Sequence, residues 1–149
     1  MRAVVMRVKE ASVTINGEVR AQIGKGLLVL LGVAPKDTEK EAAYLADRIT
    51  GVRIFADDLG KMNLNLAAVS GALLVVSQFT LYADLKSRRP GFTKAAKPET
   101  AAPLYEVFMA ECRKRGFTVE QGEFGADMQV ASVNDGPVTL LFDTDTKTG

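Results

Sequence analysis

Two polar segments of this chain follow or interrupt apolar stretches at points where their side chains could do chemistry. The first motif, Ser77-Gln78-Phe79-Thr80-Leu81, follows the apolar run 73–76, which is typical of a strand buried on both faces. Hydroxyl and amide groups at a strand end can be directed at a ligand, whereas inside a buried strand each needs a partner. The second motif, Asn134-Asp135-Gly136-Pro137-Val138-Thr139, lies between two apolar segments. We expect the two motifs to meet in space and form a site.

The residue types that are missing restrict the chemistry. The chain has no histidine and one cysteine, which excludes a Ser-His-Asp triad, a Cys-His dyad, most catalytic zinc sites and any intramolecular disulfide. Cys112 falls at helical spacing with Leu104 and Phe108, and no activating base lies near it in sequence, so we expect a buried structural thiol. An enzyme of this composition works with hydroxyls, amides, backbone dipoles or groups of the substrate.

The composition is that of an ordinary soluble globular protein, with 47% hydrophobic and 25% charged residues. A length of 149 residues predicts one domain, residues 1–149. The net charge of +1 means that any nucleic-acid contact must come from a local patch. No apolar run approaches the roughly 20 residues that cross a bilayer, and charges interrupt the N-terminus before a signal peptide could form. We therefore expect no membrane association and a cytoplasmic location.

Turn signals and apolar periodicity predict the elements that position the motifs. Asn16-Gly17 and Gly24-Lys25-Gly26 predict tight turns between strands, and the second lacks the spacing of a Walker phosphate loop. Residues 39–50, capped by Asp37 or Thr38, and residues 98–115 predict helices. Residues 52–55, 72–81, 117–120, 129–133 and 138–142 predict further strands, with a turn at 134–137. We expect an α/β domain with a curved, largely antiparallel, barrel-like sheet of about eight strands and two main helices.

The most polar stretch, residues 84–97, directly follows the first motif. It carries five cations against the single acid Asp84, which predicts a phosphate-facing loop, although an ordinary solvated loop is the alternative. The cations are Lys86, Arg88, Arg89, Lys94 and Lys97. The pair Asp57-Asp58 has no further ligands near it, so the sequence predicts no metal site.

Together the two motifs resemble the signature motifs of the D-aminoacyl-tRNA deacylases. The resemblance extends along nearly the whole chain and includes residues 7–13, Pro90-Gly91-Phe92 and Gly125-Ala126-Asp127-Met128. It implies the deacylase fold, no cofactor, and hydrolysis of the ester that joins a D-amino acid to the terminal adenosine of tRNA, with glycyl-tRNA as a further expected substrate. It also implies a homodimer in which a cis Gly-Pro bond reaches into the partner's pocket.

For the first motif, the resemblance implies catalytic roles. Backbone N–H groups of Phe79 and Thr80 would bind the oxyanion, while Ser77 and Gln78 would orient the adenosine and the ester. Because histidine is missing, the ribose 2′-hydroxyl of the tRNA would assist the attack. The alternative makes Thr80 the nucleophile, but no base is visible to activate it. Ser77 and Thr80 could also simply cap strand ends.

For the second motif, the resemblance implies chiral selection. The carbonyls of Gly136 and Pro137 would hold the α-amino group, and an L-residue would drive its side chain into this backbone. Arg7 would brace the motif, and Ala102 and Met128 complete the expected substrate-binding set. Packing is the simpler role for the side chains of Met128, Phe79 and Phe124, and Gly136-Pro137 alone could be an ordinary turn.

Two other functions fit parts of the sequence. A non-catalytic nucleic-acid-binding module would use the cationic loop and cleave no ester. A small hydrolase of free D-amino acid esters would not need that loop, so its rate would not depend on Arg88 and Arg89.

Overall fold

A curved mixed sheet, nearly closed into a barrel, organises the chain. The computed structural model describes residues 1–146, and the expected α/β fold with two main helices is confirmed for them. The strands are β1 Arg2–Ile15, β2 Glu18–Ile23, β3 Gly26–Gly32, β4 Phe55–Ala56, β5 Met62–Leu64, β6 Ala72–Ser77, β7 Val119–Gln121 and β8 Gln129–Asp143. The helices are α1 Glu39–Gly51 and α2 Pro98–Lys114, with short 3-10 turns at Ala67–Val69, Phe79–Tyr82 and Thr144–Thr146.

Strand β1 pairs with three other strands of the sheet. It pairs antiparallel with β3 through its first half, with β2 through its second half and with β8 along nearly its whole length. Strands β3, β6 and β7 continue the sheet in parallel, which makes it mixed. Strands β4 and β5 form a separate two-stranded sheet. Among residues 1–146 no helix is long and apolar enough to span a bilayer.

Local sequence signals set several of these boundaries. Asn16 and Gly17 adopt φ values of 51° and 80°, the left-handed conformation that a tight hairpin turn requires. Thr38 caps α1 in a capping box with Glu41, so Thr38 and not Asp37 takes this role. Asp37 is instead buried, where its carboxylate accepts a hydrogen bond from the Ala34 backbone N–H at 2.7 Å.

The core lies on both faces of the sheet. Leu73 and Val75 of β6 contact the cluster under α1 and α2, whereas Leu74 and Val76 contact a second cluster on the opposite face. This confirms that β6 is buried on both faces. Cys112 is fully buried against α1 and the sheet, and burial raises the pKa of its thiol to about 12. The expected structural thiol is therefore confirmed.

The strand expected at 52–55 is found at Phe55–Ala56 instead, and two further expected boundaries are wrong at the motifs. Strand β6 ends at Ser77, and residues 79–82 turn into a 3-10 helix instead of continuing the strand to residue 81. Strand β8 runs through the second motif without a turn, because its pairing with β1 resumes on both sides, at Asn134 opposite Val8 and at Thr139 opposite Met6. Residues 135–138 thus form an extended bulge opposite Arg7.

Candidate active site

The first motif lies where β6 leaves the sheet. Side chains alternate along a strand, so Ser77 shares the face of Leu73 and Val75, the face covered by α2. The Gln78 backbone N–H donates to the Leu31 carbonyl at 2.8 Å, which is the last backbone hydrogen bond to β3. The strand therefore directs Ser77 toward α2 at the point where regular pairing ends.

The 3-10 turn after Gln78 leaves two backbone donors available. The first amides of a helical turn have no partner within it. The turn is closed by the N–H of Leu81 donating to the Gln78 carbonyl, while within residues 1–146 the N–H groups of Phe79 and Thr80 donate to no protein acceptor. Two adjacent free amides can stabilise a developing oxyanion.

A cavity of about 380 Å³ opens beside this turn. Its wall is largely apolar, with Ser77, Gln78 and Lys97 as the polar or charged side chains. The remaining lining residues are Leu31, Val33, Phe79, Phe92, Ala95, Ala96, Pro98, Ala101, Tyr105, Phe124 and Gly125. An apolar cavity with a few convergent polar groups at one end is the usual form of a small-molecule or nucleotide pocket.

Tyr105 of α2 lines the cavity and forms a hydrogen bond with the backbone of β6 near the end of that strand. Its hydroxyl donates to the Val75 carbonyl at 2.6 Å, and burial raises its pKa well above the ordinary range. Strand β7 pairs with β6 as far as Val75, opposite Gln121, and the Val75 carbonyl also accepts the Gly122 backbone N–H at 3.0 Å. The tyrosine hydroxyl is therefore a second donor to this carbonyl. Tyr105 could not be recognised from the sequence, because a tyrosine within an amphipathic helix is indistinguishable from an ordinary core residue.

The side chains of Gln78 and Thr80 bind each other. The Gln78 amide nitrogen donates to Thr80 Oγ1, so the threonine hydroxyl accepts from an amide, which is not a base. This contact orders the two polar side chains of the motif without activating either as a nucleophile.

The second motif is held by Arg7 and Asn134. Arg7 Nε donates to the Asp135 carbonyl at 2.9 Å, and its Nη1 donates to the Ile54 carbonyl at 2.6 Å. Asn134 accepts from the Val138 backbone N–H at 3.0 Å. The Gly136-Pro137 bond is cis, as the resemblance implies. Gly136 has φ +132°, and an added Cβ would lie 2.9 Å from Arg7 Nη2, so the segment has space for glycine alone.

Within one chain the two motifs do not meet. The register places Asn134 opposite Val8, Val8 opposite Gly26, and Gly26 opposite Ala72, which is the far end of β6 from Ser77. Strand geometry puts the motifs roughly 17 Å apart along β6 and about 14 Å apart across three strand spacings. No residue of the second motif lines the cavity in residues 1–146. The expectation that they form one site is wrong for a single chain.

Two further expected site residues lie outside the cavity of the single chain. Ala101 lines it, whereas its neighbour Ala102, about 100° further around α2, does not. Met128 packs beside Gly122 and Val76, against the core cluster on the opposite face of the sheet. Packing, the simpler role for Met128, therefore describes its position here.

The cationic loop is exposed and partly ordered by its own backbone. Asp84 and Gly91 exchange two backbone hydrogen bonds of 2.7 and 2.9 Å, which close residues 84–91 into a tight loop. Lys94 lies 3.9 Å from the Asp84 carboxylate, and Lys97 lines the cavity. The remaining loop cations, Lys86, Arg88 and Arg89, are exposed and form no salt bridge with residues 1–146. Over the same residues, no three metal-ligating side chains converge.

The side chain of Phe79 does not pack in the core. It is 55% exposed and meets Phe92, itself 40% exposed, edge to face with ring centroids 5.1 Å apart. The packing of the Phe79 ring is therefore a surface contact with Phe92 and not a core contact. The only sequence signal for Phe92 is its place as the aromatic residue of Pro90-Gly91-Phe92.

Comparison with known proteins gives concordant matches. Residues 4–143 match the family described as D-Tyr-tRNA(Tyr) deacylase. A D-aminoacyl-tRNA deacylase of Thermus aquaticus is 57% identical over 150 aligned positions, covering 100% of this chain and 99% of the relative. A solved structure described as c-Myc DNA Unwinding Element Binding Protein is 41% identical, with a TM-score of 0.92 over 97% of this chain and 99% of that one.

A second solved structure supports the fold alone. It is described as a probable eukaryotic D-amino acid tRNA deacylase, is 16% identical, and superimposes with a TM-score of 0.83 over 95% of this chain and 97% of that chain.

Proposed function

Because the chain belongs to the D-Tyr-tRNA(Tyr) deacylase family, we propose that it hydrolyses the ester bond of D-aminoacyl-tRNA to free D-amino acid and tRNA. This reaction is chiral proofreading, a form of translation quality control, and we place it in the cytoplasm, where aminoacyl-tRNA is used. Glycyl-tRNA, which has no side chain to exclude, is a further proposed substrate.

The observation that carries this proposal is the pair of free amides in the first motif. Ester hydrolysis passes through a tetrahedral intermediate whose oxygen becomes negative, and preorganised N–H donors stabilise that charge. Phe79 and Thr80 offer two such donors at the edge of a cavity suited to an adenosine. Ser77 and Gln78 line the same edge and can orient the ribose and the ester.

The proposed attack is assisted by the ribose 2′-hydroxyl of the tRNA. Thr80 Oγ1 is occupied by the Gln78 amide, and the chain has no histidine to serve as its base. We expect a substrate ending in 2′-deoxyadenosine to be cleaved at least about a hundredfold more slowly, while Thr80→Ala retains activity on the ordinary substrate. An inactive Thr80→Ala together with full cleavage of the deoxy substrate would make Thr80 the nucleophile.

We propose that the second motif acts on the partner's cavity in a homodimer. The separation of the two motifs across the sheet means that one chain cannot combine them. Strand β8 also exposes Val130, Val133 and Leu141, at 39%, 46% and 71%, and exposed apolar side chains along an edge strand are suited to contact with a second copy. In this dimer the Gly136 and Pro137 carbonyls hold the α-amino group and exclude L-residues.

Mixed dimers test this arrangement directly. A chain with Phe79→Pro loses a donor of the first motif, and a chain with Gly136→Ala loses the second motif. If each site combines motifs from two chains, one of the two sites in a mixed dimer has both motifs unaltered, and that site is active. If each site lay within one chain, mixing the two inactive variants would restore nothing. The mixture is prepared by co-expression with different affinity tags and is assayed after sequential purification.

The primary assay compares matched D- and L-aminoacyl-tRNA with and without a chelator. We expect D-selective hydrolysis that the chelator does not change, because the sequence offers no ligand cluster. Equal hydrolysis of both enantiomers would contradict the chiral gate.

The cationic loop separates this function from the two alternatives. The neighbour described as a DNA unwinding element binding protein favours nucleic-acid binding as a second candidate function. Binding without catalysis predicts a steep salt dependence and no ester cleavage. A hydrolase of free D-amino acid esters predicts that Arg88→Ala with Arg89→Ala leaves the rate unchanged. The proposed tRNA deacylase instead loses tRNA affinity in this double variant, with a salt slope smaller by about two.

A further inference from the structure

The aromatic pair of Phe79 and Phe92 stands at the mouth of the cavity, with part of each ring in solvent. The rings meet at 76° and 5.1 Å, and they are 55% and 40% exposed. Two adjacent exposed phenylalanines are uncommon on a protein surface, where single exposed apolar residues are the norm. The pair therefore marks a surface suited to an apolar or aromatic partner.

The charge around the pair indicates what that partner is. Lys86, Arg88 and Arg89 are exposed on the loop that leads to Phe92, and Lys97 lines the same cavity as the two rings. Aromatic rings bordered by exposed cations are the composition of surfaces that bind single-stranded nucleic acid, where bases stack on rings and phosphates meet cations. An apolar protein partner would not need this concentration of positive charge.

We propose that the Phe79–Phe92 pair is a stacking subsite for the nucleobase that precedes the terminal adenosine, an inference that rests on the proposed function. The terminal nucleotide must occupy the cavity for its ester to reach the amides of Phe79 and Thr80. The single strand then leaves through the mouth, where the rings are the first surface it meets. The next phosphates reach the exposed cations of the loop.

The test removes the base and the ring separately. Two D-aminoacyl-tRNA substrates are prepared by chemical aminoacylation of the terminal dinucleotide, one intact and one with an abasic residue at the penultimate position. For the unaltered protein, we expect removal of the base to raise KM by roughly tenfold to a hundredfold with kcat nearly unchanged. In Phe92→Leu, which keeps apolar bulk without a ring, the same removal is expected to raise KM by less than about threefold.

Phe92→Tyr is the matched variant, because it keeps a ring of the same size and should retain the full sensitivity to base removal. Stacking also predicts that this sensitivity persists at raised salt, unlike a phosphate contact. The subsite would be overturned if removal of the base raised KM equally in the unaltered protein and in Phe92→Leu. It would also be overturned if removal of the base left the KM of the unaltered protein unchanged. Failure of the unaltered protein to cleave the intact substrate would overturn the proposed function and this inference together.

Discussion

The two motifs are held in place by different means. The first motif extends from a strand buried on both faces, so apolar packing and the Tyr105 hydroxyl fix the point where the chain turns. The second motif is a bulge in β8, a strand whose residues 129–133 are all exposed, and polar contacts from Arg7 and Asn134 hold it. One motif therefore has its position set by the core, and the other depends on a few hydrogen bonds.

This difference explains how the two halves of the proposed site can divide the chemistry. The first motif offers backbone donors beside an enclosed cavity, which suits charge stabilisation. The second faces outward from the edge of the sheet, which suits contact with another chain. Substitutions in the two motifs should consequently have different effects: those in the first motif lower kcat, and those in the second lower kcat/KM or stability.

The largest expected effect comes from removing an amide of the first motif. Phe79→Pro deletes one N–H at the first position of the 3-10 turn, where proline is tolerated. We expect kcat for D-aminoacyl-tRNA to fall by about 10²- to 10³-fold, the usual result of losing one oxyanion donor. Phe79→Leu keeps the amide and should mainly raise KM. If the two variants had equal single-turnover rate constants, the Phe79 N–H would not be an oxyanion donor.

Gly136→Ala tests the second motif. The new Cβ would lie 2.8 Å from a Val138 methyl group and 2.9 Å from Arg7 Nη2, at φ +132°. We expect roughly a hundredfold lower kcat/KM, since a displacement of about 1 Å has this effect on aligned groups. Gly17→Ala is the control, because it has φ +80° but open space around it. It should reduce stability by about 1 kcal/mol and leave activity intact.

Arg7→Met should affect both activity and stability. The variant keeps an unbranched apolar stem but removes the guanidinium that donates to the Asp135 and Ile54 carbonyls. We expect the free energy of unfolding in urea to fall by about 2 kcal/mol and kcat/KM by about tenfold. Arg20→Met is the control, because Arg20 is 46% exposed and pairs only with Glu18 among residues 1–146. A loss of the same size in both variants would show that Arg7 has no special role.

The smallest expected effect is that of Tyr105→Phe. The Val75 carbonyl loses the tyrosine hydroxyl but keeps the Gly122 backbone N–H at 3.0 Å, so no buried acceptor is orphaned. We expect about 1 kcal/mol lower stability and less than about a fivefold change in kcat/KM. Tyr82→Phe is the control, because the buried Tyr82 hydroxyl has no hydrogen-bond partner within residues 1–146. Its removal should be neutral or stabilising, as measured by chemical denaturation.

Features encoded locally could be predicted from the sequence. The Asn16-Gly17 turn, the cap at Thr38 and the burial of Cys112 each depend on a few adjacent residues or on one helical period. The fold class followed from the number and spacing of such signals. The cis state of Gly136-Pro137 came only from the resemblance, because nothing in a single Gly-Pro pair requires it.

Features set by tertiary contacts could not be predicted. Residues 77–81 keep the alternation of a strand, yet the chain turns after Gln78 where pairing with β3 ends. Residues 134–137 have strong turn chemistry, but pairing with β1 on both sides keeps them within one strand. The separation of the two motifs depends on the sheet register, and register is not visible in one sequence.

The pairing of β1 with β8 has a consequence for how the molecule acquires its structure. It joins residues as distant as Arg2 and Asp143, which are 141 positions apart. Closing so long a loop is entropically unfavourable, and contacts of this kind slow folding. We expect β8 to join the sheet last, so that pulsed hydrogen exchange protects the amides of β3 and β6 before those of β8. The second motif then takes shape only in the final step, after the first motif is already in place.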